Sequence, residues 1–532
     1  MNTINLFIKQ SMLLRKMNAK WLLSILLFTT ACSVQLDPLT ETQVQEIIKE
    51  DAQIIKKERI TIDKPITIYD AMALAFTNNL DYRVQLLEQA VAYEQFDVSK
   101  FDMFPKLNTS VNATHRGPER ASSSESIITR RQSLEPSTSE DQSKLTSDLT
   151  FSWNVIDFGV SYYQAKQEAN KVLIAKELRR KSFQALLVSV REAYWKAAAS
   201  QKLKSDVTDI IEKVTIAIDN SKMVEEQKLR PLLETLRFRR SLIDILREMK
   251  AVKDDLEKAE IDLYMLLNLP INKEYKLSYQ NLSFENAPKL DIDTKTLAET
   301  ALIRRPELRE EIYRSRISAD ETMKATLRLL PGIELRASEF YDSNSFLEDQ
   351  FWHQIGGHVT NNLMDILSYE KRVGAAEMME DLSRQKRMAL QIAVLSQVHM
   401  ATREYGNAVE KLEQAKQISD IDGEINKLVD ISARNDAEME LERIKAAASA
   451  VSTKLQEFQA YANFQNAFGR LLQSTGYDVV NIDIEQSDIY QLSEKFKSSF
   501  SVLEDEKFTG VLMNIKDYQA VKGIKKWPYS ND

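Results

Sequence analysis

The sequence predicts a mainly α chain that carries membrane β-strands and is built from two tandem repeats. Two landmarks fix the copies. Asn79-Leu80-Asp81-Tyr82 lines up with Arg305-Pro306-Glu307-Leu308, and Phe104-Pro105-Lys106-Leu107 with Leu330-Pro331-Gly332-Ile333, both at an offset of 226. Asn154-Val155-Ile156-Asp157 matches Asn362-Leu363-Met364-Asp365 at 208, so the first copy holds 226 − 208 = 18 extra residues between these points. Each copy of such a repeat is one structural unit, and the fold arises by pairing them. A second observation is the scarcity of turn residues: 12 Gly and 11 Pro in 532 residues leave long elements, which means helices. The third is a change of hydrophobic period, from helical to two, after Pro105 and again after Pro331.

The first element reads as an export signal. From Met17, a basic residue, an apolar run from Trp21 to Phe28 and then Thr29-Thr30-Ala31-Cys32 form an n-region, a short h-region and a small-residue cleavage site. The run is far below the roughly 20 residues that a spanning helix needs. Residues 1–31 are therefore expected to be a lipoprotein signal peptide, with Met1–Lys16 as an extended n-region. Cys32 is the sole cysteine and its setting resembles a bacterial lipobox, in which the thiol is acylated and becomes the mature N-terminus. Ser33 does not resemble the aspartate that commonly holds lipoproteins at the inner membrane. An ordinary signal peptide followed by an incidental cysteine is the alternative. A lone cysteine also leaves no intrachain disulfide and no cysteine-based metal site. Residues 32–65 are polar and read as a lipidated tether with a short helix over Thr40–Lys57.

The first repeat spans residues 66–290. Thr67 followed by Asp70 predicts a capped helix start, and Ala71, Leu74, Ala75 and Leu80 continue it. A second helix, Tyr82–Phe101, must end before Pro105, which also biases Phe104 toward extended geometry. Leu107, Thr109, Val111 and Ala113 then alternate with polar residues, as do Leu149, Phe151, Trp153 and Val155, over lengths that suit tilted transmembrane strands. A strand in a soluble sandwich would alternate in the same way. Arg116–Ser147, rich in Ser, Thr, Glu and Arg, reads as an exposed loop that holds most of the 18-residue excess. From Tyr162 the period is helical for about 100 residues, with Leu187, Val190, Tyr194 and Ala197 and then Leu203, Val207, Ile210 and Val214 at three- and four-residue steps. The pattern breaks near Glu225–Lys228, resumes through Leu256 and Leu263, and stops at Asn268-Leu269-Pro270. This is a long helical hairpin whose outgoing arm, at about 60 residues, would reach roughly 90 Å.

The second repeat, residues 291–480, has the same order. A helix over Thr294–Arg304 precedes Pro306 and a helix to Leu330. Strands are expected at Ile333–Tyr341 and Ile355–Ile366, joined by a loop over Asp342–Gln354. A second hairpin follows, with Val394, Val398, Ala401, Tyr405 and Leu412 on one arm and Leu441, Ile444, Ala448, Leu455 and Phe458 on the other. Residues 481–532 match neither copy and stand as a C-terminal extension without an assigned place.

Each copy supplies two strands, four per chain. Four cannot close a barrel, and an open edge in lipid leaves backbone groups unpaired at several kcal/mol each. The chains must therefore pool strands, and three copies give a 12-stranded β-barrel wide enough for a lumen. The hairpins, attached on one side, would continue it as a long α-helical barrel.

The tandem order, the Arg305-Pro306-Glu307-Leu308 and Phe104-Pro105 landmarks, the Trp153-Asn154-Val155-Ile156-Asp157-Phe158-Gly159 segment and the acylated N-terminus resemble the TolC-like outer-membrane efflux proteins over residues 66–480. That resemblance implies a homotrimeric channel in outer-membrane lipid, extending into the periplasm. It would dock a periplasmic adaptor (membrane fusion protein) and an inner-membrane pump, as the exit duct of a tripartite efflux or type I secretion system. Family members often carry a glycine near each hairpin tip; Met223–Leu233 and Ile425–Ala437 contain none.

No chemistry competes with a conduit. The four histidines, His115, His353, His358 and His399, are scattered, and the sequence has neither a phosphate-binding glycine loop nor a nucleophile elbow. No enzyme activity, metal or cofactor is expected beyond the lipid on Cys32. A net charge of −8 offers no basic surface for nucleic acid. Carboxylates near the hairpin ends, Asp430, Asp436 and Glu438 in the second copy and Glu225 and Glu226 in the first, are candidates for a periplasmic gate, or else solvated tip charges. The rival function is a lipid-anchored periplasmic coiled-coil adaptor or envelope spacer.

Overall fold

The computed structural model describes residues 37–58, 62, 64–133, 135–227, 230–278, 293–361, 363–433, 440–479 and 488–505. The expected signal peptide, Cys32, Asp436 and Glu438 lie outside these residues. Helix α1 (Glu41–Glu58) belongs to a unit of its own, Met1–Thr61. It opens with a reciprocal cap, in which Thr40 N donates to Gln43 Oε1 and Gln43 N donates back to Thr40 Oγ1.

The second unit, Ile62–Asp532, contains everything else. In chain order it holds α2 (Ile68–Asn78), α3 (Leu80–Phe101), β1 (Lys106–His115), β2 (Ala121–Ser122), β3 (Ser137–Thr138), β4 (Ser143–Asn154), α4 (Val155–Glu226) and α5 (Leu232–Leu266). It continues with α6 (Thr294–Arg304), α7 (Pro306–Leu327), β5 (Gly332–Asp342), β6 (Phe351–Thr360), α8 (Leu363–Ala433), α9 (Glu440–Ser474) and α10 (Ile489–Asp505). The two series match in length: 11 residues for α2 and α6, 22 for α3 and α7, and 35 for α5 and α9. The long arms α4 and α8 have 72 and 71, so α4 reaches roughly 110 Å.

Local chemistry sets the boundaries. Thr67 and Asp70 exchange side-chain-to-backbone bonds at the start of α2. Leu80 does not prolong that helix, because Asn79 ends it and caps α3 by accepting from Tyr82 N. Pro306 occupies the first turn of α7, where a missing N–H costs nothing. The long arm α4 begins at Val155, earlier than its periodicity suggested. Asn154 accepts from the N–H groups of both Ile156 and Asp157, and this cap outweighs the strand preference of Val155. In the second copy α8 starts at Leu363, so the expected strand Ile355–Ile366 gives way to Phe351–Thr360. His353 and Gln354, which hid this strand's start, belong to β6, and the expected Asp342–Gln354 loop shrinks to residues 343–350. The expected Arg116–Ser147 loop likewise contains the short β2–β3 pair and the first five residues of β4.

Both return arms end in the same motif. Leu269 N donates to Tyr264 O and Asn268 N to Met265 O; Tyr477 N donates to Leu472 O and Gly476 N to Gln473 O. These are Schellman closures, and their central residues, Asn268 and Gly476, have φ of 52° and 69°. Against each closure lies the joint between the short and the longer helix of its copy. Asn79 Nδ2 donates to Leu266 O (3.1 Å), and Arg305 Nη1 to Ser474 O (3.4 Å).

Arg180 of α4 locks the second joint. Its Nε lies 2.8 and 2.6 Å from the two Asp478 oxygens, Nη1 donates to Glu177 and Arg304 O, and Nη2 to Gly476 O. Burial opposes its charge, yet Asp478 and Glu177 hold the guanidinium pKa above its ordinary value. The C-terminal extension has a place here. Phe496 and Phe500 of α10 are buried in the core beside Phe183 and Tyr69, Arg191 lies 4.6 Å over the Phe500 ring, and Ser493 bonds Asp70. Burial of two phenylalanines contributes about 1.5–3 kcal/mol each. Farther along the hairpins, Leu203, Val207 and Val214 share one apolar core with Leu242 and Met249 of α5 and Leu455 and Phe458 of α9.

A Cβ at Gly476 would lie 2.7 Å from Arg304 C and 2.8 Å from Arg305 N. With the left-handed penalty of about 1–2 kcal/mol added to that collision, Gly476→Ala should lower the helical melting transition followed by circular dichroism. Asn268→Gly, which keeps the conformation available, should change stability by less than about 0.5 kcal/mol.

Candidate functional site

The four long strands form one antiparallel sheet in the order β1-β4-β5-β6. Alternation sorts its side chains onto two faces. Leu107 is opposite Phe151, Trp153 opposite Leu335, Ala337 opposite Ile355 and Ile333 opposite Val359, which makes one face apolar. Glu339 interrupts it near the end away from the helices, in register with Leu149 on one side and His353 on the other. The other face is polar. Ser110 bonds the Asp148 carboxylate, and Thr150 Oγ1 lies 2.9 Å from Asp148 and 3.0 Å from Ser338 Oγ. Nearer the helices, Arg336 pairs with Glu334 at 3.0 Å on that same face.

Aromatic pairs mark the far end of both faces. Tyr341 and Phe351 meet on the apolar side with ring centroids 4.6 Å apart, and Phe340 stacks on Trp352 at 5.3 Å on the polar side. His353 and His358, both in β6, project from opposite faces. Among the described residues no group of His, Cys, Asp and Glu side chains comes together that could hold a metal ion. No described helix is long and apolar enough to cross a membrane.

Among the described residues β1 and β6 each pair on one side only, and both are exposed along their whole length. The helices joined to them are unpartnered in the same sense. Helix α3 leads into β1 and exposes Leu80, Val84, Leu87, Val91, Val98 and Phe101, all spaced by three, four or seven residues. Helix α8 follows β6 and exposes Leu367, Met378, Met379, Leu382 and Ile392. Each flank of the wall thus offers an open strand edge and an apolar helix face.

At the opposite end, the first hairpin closes on itself. The Glu225 carboxylate accepts from Arg239 Nη2, and Arg239 Nε donates to Ser221 Oγ at 3.1 Å. Glu226 is exposed. Asp430 in α8 lies 3.9 Å from Arg443, which bonds Glu440 at 2.9 Å. A groove of about 920 Å³ separates the α4–α5 end from the first turn of α9, with Lys213, Arg230, Arg237, Phe238, Leu441 and Arg443 among its walls. Of the five candidate gate carboxylates, the structure gives Glu225 and Asp430 a basic neighbour, and Asp436 and Glu438 lie outside the described residues. Sequence reading missed Arg239 and Arg443 as their partners. Arg239 follows Glu225 by 14 residues, and only the hairpin fold brings the two together.

Residues 72–269 match the family described as "Outer membrane efflux protein". No curated protein matches the chain. Solved structures share the fold. The Campylobacter jejuni CmeC outer membrane channel is 15% identical with a TM-score of 0.61, covering 83% of this chain and 95% of that one. A membrane protein from Pseudomonas aeruginosa is 15% identical at 0.59, covering 77% and 93%. The outer-membrane channel OprN is 17% identical at 0.58, covering 77% and 90%. These likenesses bear out the resemblance to TolC-like outer-membrane efflux proteins.

The Glu225–Arg239 clasp yields a local test. Arg239→Leu removes a charged hydrogen bond worth about 1.5 kcal/mol. Limited proteolysis near residue 227 should accelerate roughly tenfold, because cleavage tracks the open population, while the global melting temperature stays within a degree or two.

Proposed function

We propose that this chain, with its outer membrane efflux protein segment, is the exit duct of a tripartite efflux or type I secretion system. Three copies close a 12-stranded barrel in the outer membrane. The observation that carries the reading is the paired set of open flanks: β1 with α3 on one side, β6 with α8 on the other. A head-to-tail contact between unlike flanks closes a ring. Closure pairs the strand edges that hydrocarbon would otherwise leave unsatisfied. The apolar face then meets lipid and the polar face a water-filled lumen, as in membrane barrels generally. Glu339 and His353, near the outer rim, fall at a depth where a charged side chain costs only about 0–1 kcal/mol.

The duct works passively. An inner-membrane pump delivers substrate through a periplasmic adaptor, and the lumen conducts it outward; no residue of the wall needs to react. The hairpin ends form the periplasmic gate, with Asp430, Asp436, Glu438, Glu225 and Glu226 as candidate gate carboxylates. An acylated Cys32 would anchor the tether of residues 32–65 to the same membrane.

Two outcomes test this. Cysteine pairs placed one in β1 and one in β6 should form intermolecular disulfides, and the covalent ladder should stop at three chains. A detergent-independent monomer would favour a lipid-anchored adaptor instead. In planar bilayers, Asp430→Asn with Asp436→Asn should make the channel leakier or less cation-selective; unchanged single-channel behaviour would remove the gate assignment.

A further inference from the structure

The finger between β1 and β4 lies outside the sheet that forms the proposed wall. It leaves the sheet beyond His115 and Ser143, the last register pair, and continues as the β2–β3 pair. Glu125 bridges Gln132 beyond that, and Ser126 N donates to Arg131 O at 2.9 Å. One turn closes the end: Arg130 N donates to Ser126 O (2.8 Å) and Thr129 N to Ser126 Oγ (3.2 Å), with Arg130 at φ 55°. This turn displays Ile127 and Ile128, 86% and 94% exposed, above every other large apolar side chain among the described residues. Arg130 and Arg131 follow after Thr129, and no acidic residue lies between Ser126 and Ser133. Glu125, just before the turn, pairs with Arg130 at 3.5 Å, both side chains remaining open to solvent.

The base of the finger is held firmly. Buried Asn344, in the β5–β6 loop, accepts from Asp141 N and donates to Ser139 O, both at 3.0 Å. The Asp141 carboxylate in turn accepts from Ser345 N (2.6 Å) and Ser345 Oγ (2.9 Å), and Arg120 pairs with Glu140 at 2.9 Å. A fixed base and a bonded turn hold two isoleucines outward. In water each forgoes about 1.5–3 kcal/mol of burial.

The surroundings narrow the occupant to one. A water-filled lumen offers isoleucine nothing. The outer leaflet offers acyl chains and phosphates together, and the Tyr341–Phe351 pair on the apolar face places the headgroup level at this end of the sheet. Tyr341 is in register with Ser147, four residues below the finger's base, or about 13 Å of strand. Arms of about ten residues span up to roughly 33 Å and exceed that distance. Guanidinium groups suit phosphate oxygens, and their aliphatic stems tolerate the interface.

We propose that the finger end inserts into the outer leaflet beside the barrel, with Ile127 and Ile128 among acyl chains and Arg130 and Arg131 on lipid phosphates. The proposal rests on the membrane-barrel reading of the sheet. It gives each chain an interfacial anchor on the face opposite its helices.

The test uses the full chain with a fluorophore on Ile128→Cys. A parallel sample carries it on Val111→Cys in the apolar face, and the parent chain reports any labelling at Cys32. All are reconstituted in vesicles of lipid A and phosphatidylcholine. Acyl-chain nitroxides should quench the label at 128 severalfold more than iodide does, and Arg130→Gln with Arg131→Gln should shift it toward iodide. Quenching at 128 by iodide alone overturns insertion, and quenching by neither agent shows a protein cover and also overturns it. Indifference to the arginine substitutions overturns the phosphate contact. If the label at 111 also escapes the nitroxides, the barrel reading itself fails; if only 128 escapes, the finger proposal fails alone.

Discussion

A strand edge cannot rest unpaired in hydrocarbon, and much of this molecule follows from that constraint. Among the described residues the sheet has four strands and two open edges. Each edge continues into a helix with an unpartnered apolar face, α3 beside β1 and α8 beside β6. On the proposed membrane reading a barrel has to be shared among chains, and the helices that flank the edges are shared with it. On the proposed ring, strand pairing and helix packing occur at the same boundary between neighbours, so the barrel and the helical cylinder close together.

The wall and the hairpins are joined at two related places. In each copy a short helix, a one-residue joint and a longer helix abut the Schellman end of the return arm. Asn79 meets Leu266 O in the first copy and Arg305 meets Ser474 O in the second. The copies differ in what locks the joint. In the first, the Tyr194 hydroxyl lies 2.9 and 2.6 Å from Ile66 O and Ser278 O, where the chain crosses itself in a short parallel bridge. In the second, Arg180 gathers Asp478, Glu177 and two backbone carbonyls. A buried guanidinium with this many acceptors is costly to disturb, because removal of one partner leaves charge uncompensated. Packing of α10 over α2 adds an element that has no counterpart in the first copy among the described residues.

Much of this was legible in the sequence because periodicity reports burial directly. The proline landmarks, the capping pair Thr67 and Asp70 and the hairpin stripes all stand where the structure has boundaries or core. Boundaries set by side-chain caps were harder to read. Val155 and Ile156 look like strand residues, and the helix starts there only because Asn154 caps it and ends the strand. Strand β6 was blurred because His353 and Gln354 hide its alternation. The extension could have been found from Leu492, Phe496 and Phe500 at four-residue steps, although nothing in the sequence says which surface they cover. The partners of Glu225 and Asp430 were not legible at all, since they are fixed by the hairpin fold rather than by proximity in the chain. The gate role of the five carboxylates and the acylation of Cys32 remain proposals of the sequence reading.

Stoichiometry bears most directly on the central claim that unlike flanks close one ring. Native mass spectrometry of the detergent-extracted particle, stripped of micelle in the gas phase, counts the chains without cross-links or labels. A closed ring predicts one species of three chains, stable until the sheet unfolds. A dominant monomer, or an open series of dimers, tetramers and larger forms, would show that the flanks do not close on each other and would contradict it.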